Sequence, residues 1–117
     1  MIYVIDDDEI MAGCIARACK DIDKVKIFSN AIEAVQNIGK SDIPKLIFLD
    51  ILLDGPDGFT LLNELASYAD TGCVPVVIVS SLDFAGHDLE NYGVVGILDK
   101  STMTPDDIKQ YAEKYCG

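Results

Sequence analysis

The residues best suited to chemistry come near the start of the chain, where an apolar run ends in four consecutive acids. Residues 6–9, three aspartates and a glutamate, follow the apolar residues 2–5. Close carboxylates repel one another and raise one another's pKa values unless a cation lies between them. Two interpretations are therefore open for these residues alone: the acids begin a solvated, capped helix, or some of them hold a cation.

Three further polar residues stand at the ends of later apolar runs. Asp50 closes one run, Ser80 follows a second, and Lys100 comes shortly after a third. A carboxylate nucleophile, a magnesium ion and a lysine form a workable site for phosphoryl transfer, and a hydroxyl can contact the transferred group. These residues are far apart in the sequence, so such a site requires a fold that brings the ends of the runs together.

The predicted secondary structure corresponds to a fold that brings the ends of these runs together. Five short runs rich in valine, isoleucine, leucine and aromatic residues alternate with helix-like stretches, and three of the runs lack polar alternation, as in strands covered on both faces. Alternating units of this kind predict a doubly wound α/β domain with one five-stranded parallel sheet and right-handed crossovers. The predicted strands cover residues 2–5, 25–28, 46–49, 74–79 and 94–98, and the predicted helices cover residues 9–20, 30–39, 58–69, 84–92 and 105–115.

Ligands of open parallel α/β sheets bind beyond the carboxyl ends of the strands. If the first and third strands are neighbours, as in the strand order 2-1-3-4-5, the carboxylates of Asp6, Asp7 and Asp50 meet at that edge. Oxygen ligands of this type suit Mg²⁺, which uses one or two carboxylates and keeps several waters. The sequence therefore predicts a magnesium site with Ser80 and Lys100 beside it.

Size and charge restrict the class of protein. The 117 residues suit one domain, and no apolar run approaches the roughly 18 residues that a membrane span needs. The net charge of −11 repels nucleic-acid phosphates and anionic lipids, so we expect neither direct nucleic-acid binding nor membrane binding. The start of the chain lacks the basic region of a secretory signal, which favours a cytoplasmic protein. The domain over residues 1–117 either stands alone or belongs to a longer protein.

The motifs at the strand ends resemble those of the response-regulator receiver domain of two-component signalling, of the chemotaxis-regulator type. YVIDDDE resembles the family's acidic pair, LIFLDILLDGPDGF its phosphoacceptor segment, PVVIVSS its Ser/Thr strand and GILDK its lysine strand. The four motifs come in the family's order, and the resemblance covers essentially the whole chain. It implies a flavodoxin-like fold with the strand order 2-1-3-4-5.

The resemblance implies a role for each residue of the acidic site. Asp50 is the expected phosphoacceptor, which takes a phosphoryl group from a sensor histidine kinase or a histidine phosphotransfer protein in a Mg²⁺-dependent reaction. Asp7 is expected to bind Mg²⁺ directly and Asp6 to bind it through water. Asp50 and the backbone carbonyl of Leu52 complete the expected protein ligands.

Ser80 and Lys100 are expected to act on the phosphoryl group. The resemblance implies that Ser80 hydrogen-bonds this group and moves toward it, and that Lys100 pairs with Asp50 before the transfer and with phosphoryl oxygens afterwards. The change is expected to alter the surface of residues 80–103, where a downstream protein or effector domain would bind. The domain would be a phosphoacceptor that promotes its own phosphorylation and dephosphorylation, and not an enzyme.

Four positions depart from the family's pattern, and two of them, Asp54 and Pro56, stand where a proline and a methionine are common. Ile97 stands where a switching aromatic residue is frequent, and an isoleucine cannot perform the same ring rotation. Ser101 stands where a proline often follows the lysine. Two further positions, Leu52 and Leu82, flank the path of hydrolytic water in the family, and neither can orient a water molecule, so we expect slow self-dephosphorylation.

Two rival functions remain. Phosphatases of the haloacid-dehalogenase type also carry Asp-x-Asp after the first strand, which Asp6 and Asp8 supply here. This chain lacks an acidic metal-binding pair at a strand end beyond Lys100, and such a function would leave Asp50 without a role. A receiver-like interaction module that is not phosphorylated is expected to have lost at least one residue of the acidic site. Asp8 and Glu9 are better explained as the start of the first helix.

Overall fold

The five apolar runs form one parallel sheet. The computed structural model describes residues 1–29, 31–38, 43–50, 74–80 and 93–116. All strand pairs are parallel, in the order β2-β1-β3-β4-β5, so the predicted α/β fold and strand order are confirmed. The strands are β1 (Ile2–Ile5), β2 (Val25–Phe28), β3 (Leu46–Asp50), β4 (Val76–Ser80) and β5 (Val94–Asp99).

The position of each strand in the sheet explains its composition. The central strands β1 and β3 are covered on both faces, and their apolar residues are at most 4% exposed. The edge strands are more polar or more exposed: Ile27 of β2 is 52% exposed, and Val95 and Ile97 of β5 are 40% and 43% exposed. The sequences of the central strands are therefore continuous apolar runs, whereas those of the edge strands are not.

The fourth strand begins two residues later than its apolar run predicts. Pro75 has no N–H group and cannot donate to a ladder, although its carbonyl oxygen accepts a hydrogen bond from the Ile47 N–H at 3.1 Å. The ladder between β3 and β4 then pairs Ile47 with Val76. A proline is tolerated here because it lies just before the strand.

Three helices are described: α1 (Glu9–Cys19), α2 (Ala31–Ile38) and α3 (Pro105–Cys116). They agree with three of the predicted helices, and the other two predictions, 58–69 and 84–92, lie outside the described residues. The start of α3 forms the expected capping box, since the Thr104 N–H donates to Asp107 Oδ2 at 2.9 Å and the Asp107 N–H donates to Thr104 Oγ1 at 3.3 Å. None of the helices in the described ranges combines the length and the hydropathy that crossing a membrane requires.

The main core lies between the sheet and the helices α1 and α3. Alternate residues of the strands point into it, whereas Tyr3 points to the opposite face, where its ring lies 4.8 Å from the ring of Phe28. The helices contribute small or branched side chains, which allow them to approach the strands closely. The buried members of this core are Ile2, Val4, Ala12, Ile15, Ala18, Cys19, Leu46, Phe48, Val77, Val79, Leu98, Ile108 and Ala112.

A glycine allows α3 to approach β5. The Tyr111 ring lies directly over Gly96, and a Cβ at that position would overlap the ring, with Tyr111 Cε1 only 2.8 Å away. Gly13 in α1 is different, since a Cβ there would meet no heavy atom within 4 Å. The first glycine is required by packing, and the second is not.

Candidate functional site

Neighbouring strands carry the first two acids to the same place. In the register of β1 and β3, Ile5 pairs with Leu49, so the residues that follow, Asp6 and Asp50, stand side by side at the carboxyl edge. The Asp6 N–H continues the ladder to β2 by donating to the Phe28 carbonyl at 3.0 Å. The backbone therefore holds the start of the acidic segment in register with the sheet.

Three carboxylates converge at this edge. One oxygen from each of Asp6, Asp7 and Asp50 lies within 4.8 Å of the others. The Asp6 and Asp50 side chains are 1% and 4% exposed, whereas Asp7 is exposed and opens the cluster to solvent. The predicted convergence of these acids is thus present in the structure, with two buried members and one accessible member.

Lys100 supplies the positive charge that faces the buried acids. Its Nζ atom lies 3.0 Å from Asp50 Oδ1 and 3.7 Å from Asp6 Oδ2. Burial disfavours the charged ammonium, but the close contact with the Asp50 carboxylate and the charges of Asp6 and Asp50 outweigh burial and raise the pKa of Lys100. The lysine therefore stays charged and pairs with Asp50.

Asp6 is the least well compensated of the acids. Burial raises its pKa to about 6, and the negative charge of Asp50 adds to that effect. The Asp8 N–H, which donates to Asp6 Oδ1 at 2.9 Å, and the charge of Lys100 act in the opposite direction without cancelling it. A buried carboxylate in this situation needs another positive charge.

The donor set fits a hard divalent cation. Among the described residues, no hydrogen-bond donor reaches the buried oxygens Asp6 Oδ2 and Asp50 Oδ1 with suitable geometry, although Lys100 is close to both. Three carboxylates face one ammonium, which leaves an excess of two negative charges. Oxygen ligands and an excess of this size match Mg²⁺ or a similar ion.

Asp8 and Glu9 belong to the helix instead. Asp8 is the N-cap of α1, and its Oδ1 atom accepts from the N–H groups of Ile10 at 3.0 Å and Met11 at 3.3 Å. Glu9 occupies the first turn, where a negative charge suits the helix dipole. The Asp8 carboxylate is thus engaged in capping the helix. A phosphatase of the haloacid-dehalogenase type would need this carboxylate, two residues after Asp6, for its reaction.

A turn after β5 holds Lys100. No role for this turn was predicted from the sequence. Asp99 Oδ1 accepts hydrogen bonds from the Ser101 N–H at 2.8 Å and from Ser101 Oγ at 2.6 Å. The Asp99 carbonyl also accepts from the N–H groups of Thr102 and Met103. The peptide bond between Lys100 and Ser101 is trans. An aspartate two residues before a serine is the signal of this turn, and it was available in the sequence.

The remaining predicted site residues are only partly described. Ser80 ends β4, where its backbone pairs with Asp99, and the preceding Val79 pairs with Asp50. Its backbone is therefore at the same edge of the sheet, but its side chain lies outside the description. Leu52 and Leu82 also lie outside the described residues. Ile97 is described and is 43% exposed on β5.

Comparison with known proteins agrees with this geometry. The model of the response regulator receiver domain matches residues 2–113. Response regulator PleD of Caulobacter vibrioides is 34% identical over 71 residues, which are 61% of this chain and 15% of that protein. This chain is therefore much shorter than that curated relative.

Two solved structures are similar over nearly their whole length. The receiver domain of NtrX from Brucella abortus is 26% identical, with a TM-score of 0.78 over 99% of this chain and 98% of that one. A sensor protein from Polaromonas sp. JS666 has a TM-score of 0.84 over 98% of this chain and 94% of that one; at 17% identity it shows the fold alone. Since the family model spans almost the whole chain and the sheet has the corresponding strand order, this chain belongs to the response regulator receiver domain family.

Proposed function

We propose that this domain is the phosphoacceptor of a two-component response regulator and that Asp50 receives the phosphoryl group. Receiver domains are phosphoacceptor domains that bind a divalent metal at an acidic pocket. The observation that carries the assignment to these residues is the cluster of Asp6, Asp7 and Asp50 carboxylates within 4.8 Å, with Lys100 Nζ 3.0 Å from Asp50. Asp50 stands at the end of β3, close to the other two acids and to Lys100, which also lies 3.7 Å from Asp6.

The proposed reaction is a displacement at phosphorus. A carboxylate oxygen of Asp50 forms the new O–P bond, the P–N bond to a donor histidine breaks, and its electron pair stays on the imidazole, which leaves. Asp50 would attack as the carboxylate, and the ammonium of Lys100 faces it at 3.0 Å. The product is an acyl phosphate on the end of β3.

Asp6, Asp7 and Asp50 would hold a Mg²⁺ ion, together with the backbone carbonyl of Leu52. When bound, this ion would supply positive charge to the phosphoryl oxygens, as metal ions do in phosphoryl transfer generally. The chain's own contribution is to keep the acids close together before the ion arrives, at the cost of repulsion between Asp6 and Asp50. Asp7, which is exposed, leaves the site open to the donor.

Lys100 and Ser80 would contact the phosphoryl group on Asp50. Lys100 is close enough to Asp50 to exchange that carboxylate for a phosphoryl oxygen with little movement of its chain. The Ser80 hydroxyl would donate a hydrogen bond to another phosphoryl oxygen. Together these contacts would favour one packing of the segments that follow β4 and β5.

The partners follow from this reaction class. A sensor histidine kinase or a histidine phosphotransfer protein would supply the phosphoryl group in the cytoplasm, and a downstream protein or effector domain would contact the surface of residues 80–103. Val95 and Ile97 support this assignment, because both are exposed apolar residues on an edge strand within that range. The surface would respond without an aromatic ring at Ile97, so its change would come from the backbone near Ser80 and Lys100.

The test uses a small phosphodonor, which removes the need for the cognate kinase. Wild type incubated with acetyl phosphate and Mg²⁺ is expected to gain the mass of one phosphoryl group, and Asp50→Asn is expected to gain none. Asp21→Asn, an exposed aspartate in the turn after α1, is the matched control and should gain as much as wild type. A gain that persists in Asp50→Asn would move the phosphoacceptor elsewhere, and no gain in wild type would favour an interaction module that is not phosphorylated.

A further inference from the structure

A second feature lies at the opposite edge of the sheet, where the strands begin. A groove of about 540 Å³ opens between the last turns of α1 and the start of β2, and its volume is typical of ligand sites. We refer to it as the basic groove. It is lined by Met1, Ala16, Arg17, Lys20, Asp23, Lys24, Val25 and Lys26.

The basic groove concentrates positive charge on a strongly acidic protein. The whole chain has nine basic residues and a net charge of −11, yet four of the nine line this one groove. Within the described ranges none of the four forms an ion pair, and the contacts of Arg17 are to the uncharged Gly13 carbonyl and Cys14 Sγ. These charges are therefore free to meet an anion.

The one acid in the groove is already engaged. Asp23 pairs with the α-amino group of Met1 and accepts a hydrogen bond from the Lys24 N–H at 2.8 Å, and both contacts lower its pKa. It remains ionised and forms a neutral pair with the α-amino group of Met1, so the four basic residues leave the groove a local charge of about +4. The floor between them includes the apolar side chains of Ala16 and Val25.

Distance separates this charge from the acids of the candidate site. The four residues of β1 lie between the two edges, and at about 3.3 Å per residue they span roughly 13 Å. The screening length at physiological ionic strength is about 8 Å. The acidic edge therefore weakens the attraction of the groove only in part, and an anion close to the groove meets a local positive field.

The neighbouring strand favours an extended ligand. The Ile2 N–H donates to the Lys24 carbonyl and the Asp6 N–H to the Phe28 carbonyl, so the even-numbered residues of β2 face β1. The backbone groups of Val25 and Ile27 then point away from the sheet, and β2 pairs with no other described strand. Ile27, 52% exposed, adds apolar surface beside this free edge.

We propose that the basic groove and the free edge of β2 bind an extended acidic segment of a partner protein, with alternating acidic and apolar side chains. The backbone of the segment would pair with β2, so its side chains would alternate between the two faces of the sheet. Its carboxylates would meet Lys24 and Lys26, which alternate with Val25 along the chain, and its apolar side chains would lie on Ala16 and Val25, on the face that α1 covers. Lysines on an edge strand also prevent unwanted pairing between sheets. That protective role accounts for Lys24 and Lys26, but it does not explain Arg17 and Lys20 on the helix.

A long polyanion is a poorer occupant. Nucleic acid or an anionic membrane would extend beyond the groove and meet the surface that gives the chain its net charge of −11. A short acidic segment stays within about one screening length of the four basic side chains. The partner is therefore identified by the small size of its charged surface as well as by the negative sign of its charge.

The probe is a fluorescein-labelled peptide of alternating glutamate and valine, with glutamine–valine and lysine–valine peptides for comparison. Fluorescence anisotropy with the whole chain is expected to show binding of the glutamate peptide alone, weakening as NaCl is raised. Lys20→Glu/Lys24→Glu is expected to reduce its affinity by about tenfold or more, and Lys20→Gln/Lys24→Gln to reduce it by less. Equal binding of the glutamine peptide would overturn the proposal.

The matched control changes the same charge elsewhere. Lys109→Glu/Lys114→Glu alters two exposed lysines of α3, gives the same net charge as Lys20→Glu/Lys24→Glu, and should change the affinity by less than about twofold. Both double variants should keep Asp50-dependent phosphorylation, which separates this site from the proposed function and shows that the variants are folded. Equal loss in the two variants would mean that only net charge matters, and the groove would have no specific role.

Three further outcomes would assign the groove to a different occupant and overturn the proposal. The first is groove-dependent binding of a DNA duplex with no peptide binding, and the second is the same result with phosphatidylglycerol vesicles. The third is salt-sensitive self-association of wild type in sedimentation velocity that Lys20→Glu/Lys24→Glu abolishes, which would make a second copy of the chain the ligand.

Discussion

At the scale of single residues, Asp6 links the stability of the domain to its function. Its pKa is raised from 3.8 to about 6, chiefly by burial, so the folded state holds this proton at a higher pH than the unfolded state does. Stability from this group is present at low pH and is lost as the pH rises from about 4 to about 6. The metal-free domain at neutral pH therefore carries an unfavourable buried charge.

Asp6→Asn is expected to stabilise the metal-free domain at neutral pH, because it removes that charge and keeps the volume of the side chain. The gain in the free energy of unfolding should be on the order of 3 kcal/mol at about pH 7.5 and only about 1 kcal/mol at about pH 4.5. Urea denaturation in the presence of a chelator measures both values. A gain that is larger at low pH than at neutral pH would contradict the assignment, and Asp21→Asn serves as the control for a change of net charge.

The turn formed by Asp99 and Ser101 is expected to position Lys100. Ser101→Ala removes the 2.6 Å hydrogen bond from Ser101 Oγ, whereas Asp99→Ala removes that bond and the 2.8 Å bond from the Ser101 N–H. The rate of Mg²⁺-dependent phosphorylation by acetyl phosphate should fall about threefold in the first variant and further in the second. The rate is measured from the increase in phosphorylated mass over time.

Ser101→Thr keeps the hydroxyl and is expected to restore the rate, which a role in stability alone would not require. Lys100→Met sets the lower limit, because it removes the group that the turn positions. If Ser101→Ala and Asp99→Ala reduce the free energy of unfolding but leave the phosphorylation rate unchanged, the turn supports the fold and does not position the lysine.

At the scale of elements, the packing of α3 on β5 depends on one glycine. Gly96→Ala places a methyl group where the Tyr111 ring lies and should lower the free energy of unfolding by about 1–3 kcal/mol. Gly13→Ala is the matched control, because α1 has open space at that position and alanine favours a helix by roughly 1 kcal/mol. In urea denaturation, Gly96→Ala is therefore expected to lower the free energy of unfolding and Gly13→Ala to raise it.

A double variant identifies the cause of the first effect. Tyr111→Leu shortens the side chain that would overlap the new methyl group, so Gly96→Ala should be less harmful in the presence of Tyr111→Leu than in wild type. If the two changes are additive, the cost of Gly96→Ala comes from the backbone of β5 and not from the contact with Tyr111.

In helix α1, the sequence pattern predicts the position of the helix but not the burial of each residue. The position of α1 was predicted and its cap at Asp8 is as expected, but Cys14, an apolar-type residue of the helix, is exposed. The buried side of the helix instead carries Ala12, Ile15, Ala18 and Cys19. A cysteine is compatible with either environment, so only the direction of the side chain from the helix decides its burial.

At the scale of the whole molecule, charge is divided between the two edges of the sheet. The acids of the candidate site stand at the carboxyl edge, and the basic groove stands at the amino edge. This arrangement follows from the parallel sheet, because every strand begins at one edge and ends at the other. Two ligands of opposite charge can therefore bind the same small domain without competing for one surface.

A comparison of MgCl₂ with NaCl separates specific binding from general screening. Salt of either kind should raise the melting temperature of a protein with a net charge of −11 by screening repulsion. Millimolar MgCl₂ should raise it further than NaCl of equal ionic strength, because a site that binds only the folded state adds stability. Differential scanning fluorimetry measures both curves. The additional rise should be lost in Asp50→Asn and kept in Asp21→Asn, and equal curves for the two salts would contradict a metal site.

The sequence by itself determined the five strands and the polar residues at their ends, whereas the strand order was implied by the resemblance to the receiver domain family. The reason is local: apolar runs, helix caps and strand-ending acids depend on neighbours in the chain, and the parallel α/β fold then directs Asp50 and Lys100 to one edge. Only the tertiary structure decided that Asp6 is buried while Asp7 is exposed, and that Asp99 and Ser101 form the turn beside Lys100. The basic groove also belongs to the tertiary structure, because it exists only where the end of α1 meets the start of β2. Burial, side-chain direction and contacts between distant segments are properties of packing, and the local pattern of residues does not specify them.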